Sequence, residues 1–163
     1  MTQKKLKKLL HYNPNTGQFR ALVTRGNCSA GKIIAGYKDL RRGKIYLRFN
    51  IGSRLYYGHR LAWLYVHGKM PRVIDHKNGD GTDNKIANLR PATHTQNHIN
   101  SKRYANNRTG FKGVSISNGG RFRATTSHNG KHVEIGHFDD PQSAHAAYVA
   151  TVRRLYGEFA NEG

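Results

Sequence analysis

A chain of 163 residues is long enough for one medium domain or two small ones, and with 36% apolar residues and a mean hydropathy of −0.77 its core must be modest. Twenty-eight lysines and arginines against nine aspartates and glutamates leave a formal net charge of +19. A surface of one sign repels itself, and neutralising phosphates with release of counterions is the compensation that points to nucleic acid, although ribosomal and membrane-surface proteins share the signature.

The basic start, Lys4, Lys5, Lys7 and Lys8 with Leu6, Leu9 and Leu10, is not followed by the apolar stretch of a signal peptide. Residues 4–11 predict a short basic helix, stopped by the turn formers Asn13-Pro14-Asn15-Thr16-Gly17. Short runs at Phe19–Val23, Lys32–Ala35, Ile45–Phe49 and Arg54–Tyr57, separated by glycines, predict small antiparallel hairpins with a basic turn at Arg41-Arg42-Gly43-Lys44. His59 to His67 has helical spacing at Leu61, Leu64 and Tyr65, and Gly68 and Pro71 supply its stop. Residues 73–101 read as loop-rich, dense in Asp, Asn and His. Residues 102–108 are polar and basic without periodicity and read as a linker. Three strands follow, about Gly113–Ser117, Arg121–Ser127 and Lys131–Phe138, joined by Asn118-Gly119-Gly120 and Asn129-Gly130. Asp139-Asp140-Pro141 then opens a helix with an apolar stripe at Ala144, Ala147, Tyr148, Thr151 and Leu155, which completes a βββα unit. No stretch reaches the ~18–20 apolar residues of a membrane span. The lone Cys28 can form neither an internal disulfide nor a cysteine-based zinc site. The expectation is a cytoplasmic protein, neither secreted nor membrane-bound.

Chemistry concentrates between Val73 and Asn97. Histidine titrates near neutrality and can take a proton from water, while a neighbouring carboxylate offers the hard oxygen that Mg²⁺ prefers. Asp75 and His76 suit those two tasks, and on an extended strand they would point to opposite faces and divide them. The linked set His59-Arg60-Leu61-Ala62-Trp63, Asp75-His76-Lys77-Asn78-Gly79-Asp80 and Asp83 through Arg90 resembles, in order and spacing, the HNH endonucleases of phage and intron-homing type. The resemblance covers about residues 55–101 and implies a ββα-metal nuclease. It makes Asp75 and Asn97 metal ligands, His76 the general base, and Asn88 the residue that ties down the loop aiming the histidine. It further implies a divalent metal, Mg²⁺ with Mn²⁺ as a substitute, no structural zinc, no small-molecule cofactor, and products with 5′-phosphate and 3′-hydroxyl ends. The last motif position is Asn97 where histidine is common, which leaves His98 as the alternative ligand. Asn78, Asp83 and Asn84 read as turn formers. His59 divides evenly between capping or core packing and a phosphate contact; Arg60 and Arg90 divide between a phosphate contact and a solvated surface.

Residues 110–160 resemble the AP2 DNA-binding domain through Phe111-Lys112-Gly113-Val114, Gly120-Arg121-Phe122-Arg123-Ala124, Ile135-Gly136-His137-Phe138-Asp139, the helix residues Ala144, Ala147 and Tyr148, and Asn161. Such a domain lays a three-stranded sheet in the major groove. Alternation separates Arg121, Arg123 and Thr125 from Phe122, Ala124 and Thr126, so one face packs on the helix and the other is free and basic. Lys112, Ser115, Arg121, Arg123, Thr125, Lys131 and His132 are the expected DNA contacts, with solvated exposed charge as the bland alternative. The tryptophans of plant AP2 domains are missing, with Glu134 where one is often found, so a preferred base sequence does not transfer.

The expected class is α+β: hairpins and an HNH module over 1–101, a linker at 102–109 and an AP2-like domain over 110–163. The partner is double-stranded DNA, cut or nicked by a monomer. The rival readings are a non-catalytic AP2-type transcriptional regulator and an RNA-binding structural protein.

Overall fold

The computed structural model describes residues 1–26, 28–41 and 43–163, so the Arg42 position of the expected basic turn lies outside the described residues. The chain is α+β and divides into two compact units, Met1–Pro91 and Ala92–Gly163. No helix among the described residues is long and apolar enough to cross a membrane.

In the first unit, helix α1 (Gln3–Leu9) is capped by the Thr2 hydroxyl and buries Leu6 and Leu9. It ends two residues earlier than its sequence suggests, because Leu10–Tyr12 leaves as strand β1 to pair antiparallel with β2 (Phe19–Ala21) across the Asn13–Gln18 turn. Strands β3 (Tyr37–Arg41), β4 (Lys44–Ile51) and β5 (Arg54–Tyr57) form an antiparallel meander. The run Lys32–Ala35 forms only a bridge, Ile33 to Arg20, while β3 was invisible as a strand because it is polar and mostly exposed. Helix α2 (Gly58–His67) buries Leu61, Ala62 and Leu64 and stops at Gly68 in the left-handed conformation. Its apolar face closes a core with Leu6, Tyr12, Phe19, Phe49, Ile74 and Leu89.

The 73–101 stretch is more ordered than its composition suggests. It holds β6 (Val73–His76), a 3₁₀ turn at Ile86–Asn88, β7 (Leu89–Ala92) paired with β6, and α3 (His94–Ile99). The N-terminal hairpin braces its loop: the Tyr12 hydroxyl donates to the Asn84 carbonyl at 2.7 Å and the Ile86 amide to the Pro14 carbonyl at 3.1 Å. Gly17, at φ +73°, passes so close that a β-carbon there would lie 2.8 Å from the Asn84 backbone. Packing thus fastens the loop to the body of this unit.

The second unit begins with α3, whose Ile99 is buried with Val114, Ala124, Ala144, Tyr148 and Val152. Strands β8 (Val114–Ile116), β9 (Phe122–His128) and β10 (Lys131–Phe138) form an antiparallel sheet with β9 in the middle and a bulge between Glu134 and Gly136. Helix α4 (Pro141–Tyr156), capped by Asp140, packs on it along Ala144, Tyr148 and Val152, one every fourth residue. Gly113 is dictated twice: φ is +75°, and an added β-carbon would stand 2.1 Å from the Tyr148 ring. Gly113→Ala is expected to destabilise this unit by about 3 kcal/mol or more, from left-handed strain plus overpacking. Urea denaturation checks it; a loss below about 1 kcal/mol would show that the ring moves aside without penalty.

Candidate active site

Strand β6 carries Asp75 and His76, and both are buried, at 1% and 5% exposure. Strand alternation sends them to different surroundings. The Asp75 carboxylate meets Arg90 of β7, whose Nε donates to Oδ2 at 2.9 Å. The His76 imidazole lies in a cluster of rings: His59 is edge-on at 5.1 Å between centroids and Tyr46 is 6.0 Å away. Tyr57 stacks on His59 at 5.4 Å. Tyr57 is itself steadied by Asp39, which accepts its hydroxyl at 3.2 Å, and by the Arg48 guanidinium over its ring.

This enclosure sets protonation. Burial pushes the His76 imidazole below its ordinary value, against the opposing pull of the Asn84 amide and the Asp75 and Asp80 carboxylates. Burial, with His76 and Arg60 beside it, pushes His59 down to about 3, and its Nδ1 is shut off from solvent with no hydrogen-bond partner among the described residues. At neutral pH both rings are therefore neutral, and His76 is in the form that accepts a proton.

Immediately after His76 the chain is held by Asn88. Its Oδ1 accepts from the Asn78 amide at 3.1 Å, while its Nδ2 donates to Asn78 Oδ1 at 3.0 Å and to the Asp83 carbonyl at 2.9 Å. Lys77 and Asn88 also share a backbone bond, and Asn78 Nδ2 donates to Asp83 Oδ2 at 3.0 Å. Asn78, Asp83 and Asn88 thus form one amide-carboxylate mesh whose product is a fixed exit from β6. Asn84, almost fully buried, donates its Nδ2 to the Thr82 carbonyl at 3.3 Å.

Other expected site residues fall in three groups. Asn97 and His98 lie on α3 in the second unit, Asn97 half-buried and His98 exposed; a Thr93–Gln96 capping box starts this helix, a start signal that the sequence itself carries. Ser115, Thr125, Lys131 and His132 lie on β8, β9 and β10 with their side chains wholly or partly accessible, and Arg60 reaches the Arg72 carbonyl at 3.5 Å. The third group needs correction. Lys112 is turned inward, 8% exposed, its ammonium donating to the Ile99 and Asn161 carbonyls at 2.6 Å each, so it is a structural clamp and not a surface contact. Arg90 is likewise a buried partner of Asp75 in place of a phosphate contact, because desolvation of its guanidinium requires the opposite charge. His59, by contrast, keeps both of its expected roles open: its ring packs in the cluster and its Nδ1 is buried, while the residue remains partly exposed. The sheet face is also less freely basic than its arginines suggest: Arg121 pairs with Asp139 at 2.9 Å, and Arg123 lies 4.0 Å from Glu134.

The donor chemistry beside His76 fits a hard divalent cation, since Asp75 offers carboxylate oxygens and such ions keep most positions for water and phosphate. Among the described residues no three or more His, Cys, Asp or Glu side chains form a metal-holding group.

Residues 56–99, which run from the end of β5 through α2, β6 and β7 to the end of α3, match the family model described as HNH endonuclease. The match suggests nuclease activity. No curated protein and no solved structure matches the chain.

Proposed function

We propose that the chain is a metal-dependent DNA endonuclease of the phage or homing HNH type, with a C-terminal AP2-like unit that holds the DNA. The observation that carries this reading is the Asp75–His76 pair on β6, with a buried neutral imidazole on one side, a paired carboxylate on the other, and a loop fastened by Asn88, inside the segment similar to HNH endonucleases.

In this reading His76 accepts a proton from the water that attacks phosphorus. Tyr46 and His59 limit the ring's freedom, and Asn88 fixes the backbone that presents it. Asp75, oriented by Arg90, and Asn97 would hold Mg²⁺, or Mn²⁺ in its place; Asn97 enters on the sequence motif, with His98 as the alternative. When bound, the cation supplies positive charge to the scissile phosphate and the departing 3′ oxygen. The functional division we propose, a nuclease module to about residue 101 and a reader from about 110, differs from the division by packing, which falls at Pro91/Ala92. Ser115, Arg121, Arg123, Thr125, Lys131 and His132 remain the proposed DNA contacts. The carboxylate partners of Arg121 and Arg123 are solvent-exposed, and such pairs contribute little, so a phosphate can replace them.

The test is a supercoiled plasmid incubated with the full chain. Open-circular product is expected with Mg²⁺, none with EDTA, and a rate lower by at least ~100-fold for His76→Ala, the lower range for loss of a general base. A single active centre per monomer makes the nick the expected product. Plasmid that is bound but never nicked under any of these conditions would leave the non-catalytic regulator as the reading.

A further inference from the structure

The second unit contains a cleft that shares Ser115, Thr125 and His132 with the proposed DNA contacts and His98 with the alternative metal ligand, but whose Thr126, Tyr148 and Tyr104 the nuclease reading leaves without a role. Strand β8 covers β9 only along Phe122–Ala124, with one further bond from the Thr125 amide to the Gly113 carbonyl. Beyond that point the edge of β9 opens into a cleft of about 260 Å³, bounded on its other side by the segment that follows α3.

Its lining has a definite chemical order. The floor includes Tyr148 and Thr126, and Thr126 is 6% exposed with an Oγ1 that has no hydrogen-bond partner among the described residues. A buried hydroxyl left unsatisfied is unfavourable, so its position calls for a ligand atom or water. Tyr104 stands at the mouth, 61% exposed, with its ring 6.1 Å from that of His98. Lys102, Arg103 and His132 complete the rim, and among the described residues no acidic side chain lines the cleft. A flat aromatic ligand with one polar edge, joined to an anion, matches this sequence of surfaces: ring against tyrosine, edge to the threonine hydroxyl, anion to the cationic rim.

We propose that this cleft binds a single unstacked nucleotide, its base against Tyr104 with an edge reaching Thr126 and its phosphate at Lys102 and Arg103. The inference rests on the nucleic-acid reading of this unit and adds to it a site for one nucleotide. The nucleotide comes either from a DNA strand or free from solution, and the test separates the two.

Fluorescence anisotropy of the full chain in EDTA would compare three short duplexes: fully paired, with one bulged dT, and with one bulged abasic site. Thymidine monophosphate serves as competitor. The expected result is binding of the dT bulge about tenfold tighter than of the abasic bulge, the scale of one base stacked on an aromatic side chain. Tyr104→Ala should abolish that difference. Thr126→Val should reduce it without loss of fold stability, because the replaced hydroxyl has no hydrogen-bond partner among the described residues; a purely structural threonine would leave the difference intact. Displacement by thymidine monophosphate identifies the free nucleotide as a source, and resistance to it identifies the strand. Equal affinity for the dT and abasic bulges with no effect of the monophosphate, or a base preference that survives Tyr104→Ala, would overturn the proposal. Plasmid nicking by the same preparations in Mg²⁺ shows separately whether the nuclease reading stands.

Discussion

Arg90→Ala is expected to lower the stability of the first unit by about 3–5 kcal/mol, the range for removing one member of a buried ion pair. Asp75 is 1% exposed and faces the Arg90 guanidinium at 2.9 Å. With the arginine gone, the carboxylate either stays charged against its desolvation cost or takes up a proton; either way the folded state loses. Arg90→Lys should recover only part of the loss, since a single ammonium does not reproduce the planar donor set of guanidinium. The double variant Asp75→Leu, Arg90→Met should be more stable than Arg90→Ala, because similar-sized apolar side chains often replace a buried pair without penalty. Urea denaturation of the three proteins measures all of this. A cost below about 1 kcal/mol for Arg90→Ala would mean that water reaches Asp75 and that the pair is not a structural element. The same pair bears on chemistry: Arg90 fixes the rotamer of the carboxylate proposed to hold the cation, so the variant should weaken Mg²⁺ binding even under conditions where it remains folded.

Acid should unfold the first unit well before its carboxylates are all protonated. The folded state holds His59 neutral down to about 3, whereas an unfolded histidine takes a proton near 6.5. Between those values the unfolded chain binds more protons, so stability rises with pH and is lost as pH falls from about 6.5 towards 3. One such group contributes a slope of about 1.4 kcal/mol per pH unit, and several kcal/mol across the window. His76, also lowered by burial, adds slope of the same sign just below 6.5. The groups facing His59 are His76, Tyr46 and Tyr57 through their rings and Arg60 through its charge; none offers a carboxylate to stabilise an imidazolium. Urea unfolding of the wild-type chain and of His59→Phe at pH 5 and pH 7.5 tests this. The wild type should lose at least ~2 kcal/mol between those conditions from His59 alone, and the variant should lose that much less. Equal pH dependence in both proteins would show that His59 is protonated in the folded state or solvated in it.

The parts of the chain that read correctly from sequence carry their information locally. Asn129-Gly130 between two alternating runs, Asp140-Pro141 before an apolar stripe and Gly68 after one each specify a turn, a start or a stop through backbone conformations that few residues adopt. The Thr93–Gln96 capping box is just as local and makes α3 legible in retrospect. Strand β3 is different: exposed and polar, it is a strand because β4 pairs with it, and no pattern within Tyr37–Arg41 announces that.

Sequence by itself determined the charge of this protein, the β4–β5 and β8–β9–β10 hairpins, the longer helices, and the Asp75–His76 motif inside a segment similar to HNH endonucleases, because residue type, spacing and turn chemistry act within a few positions of one another. Only the tertiary structure decided which cations are buried. Lys112 and Arg90 look in the sequence like any other basic residue, yet one clamps two carbonyls and the other neutralises Asp75. Whether a charge meets solvent, a phosphate or a buried carboxylate depends on partners distant in the chain, here 13 and 49 residues away for Lys112 and 15 for Arg90, and the dielectric around it follows from that packing alone.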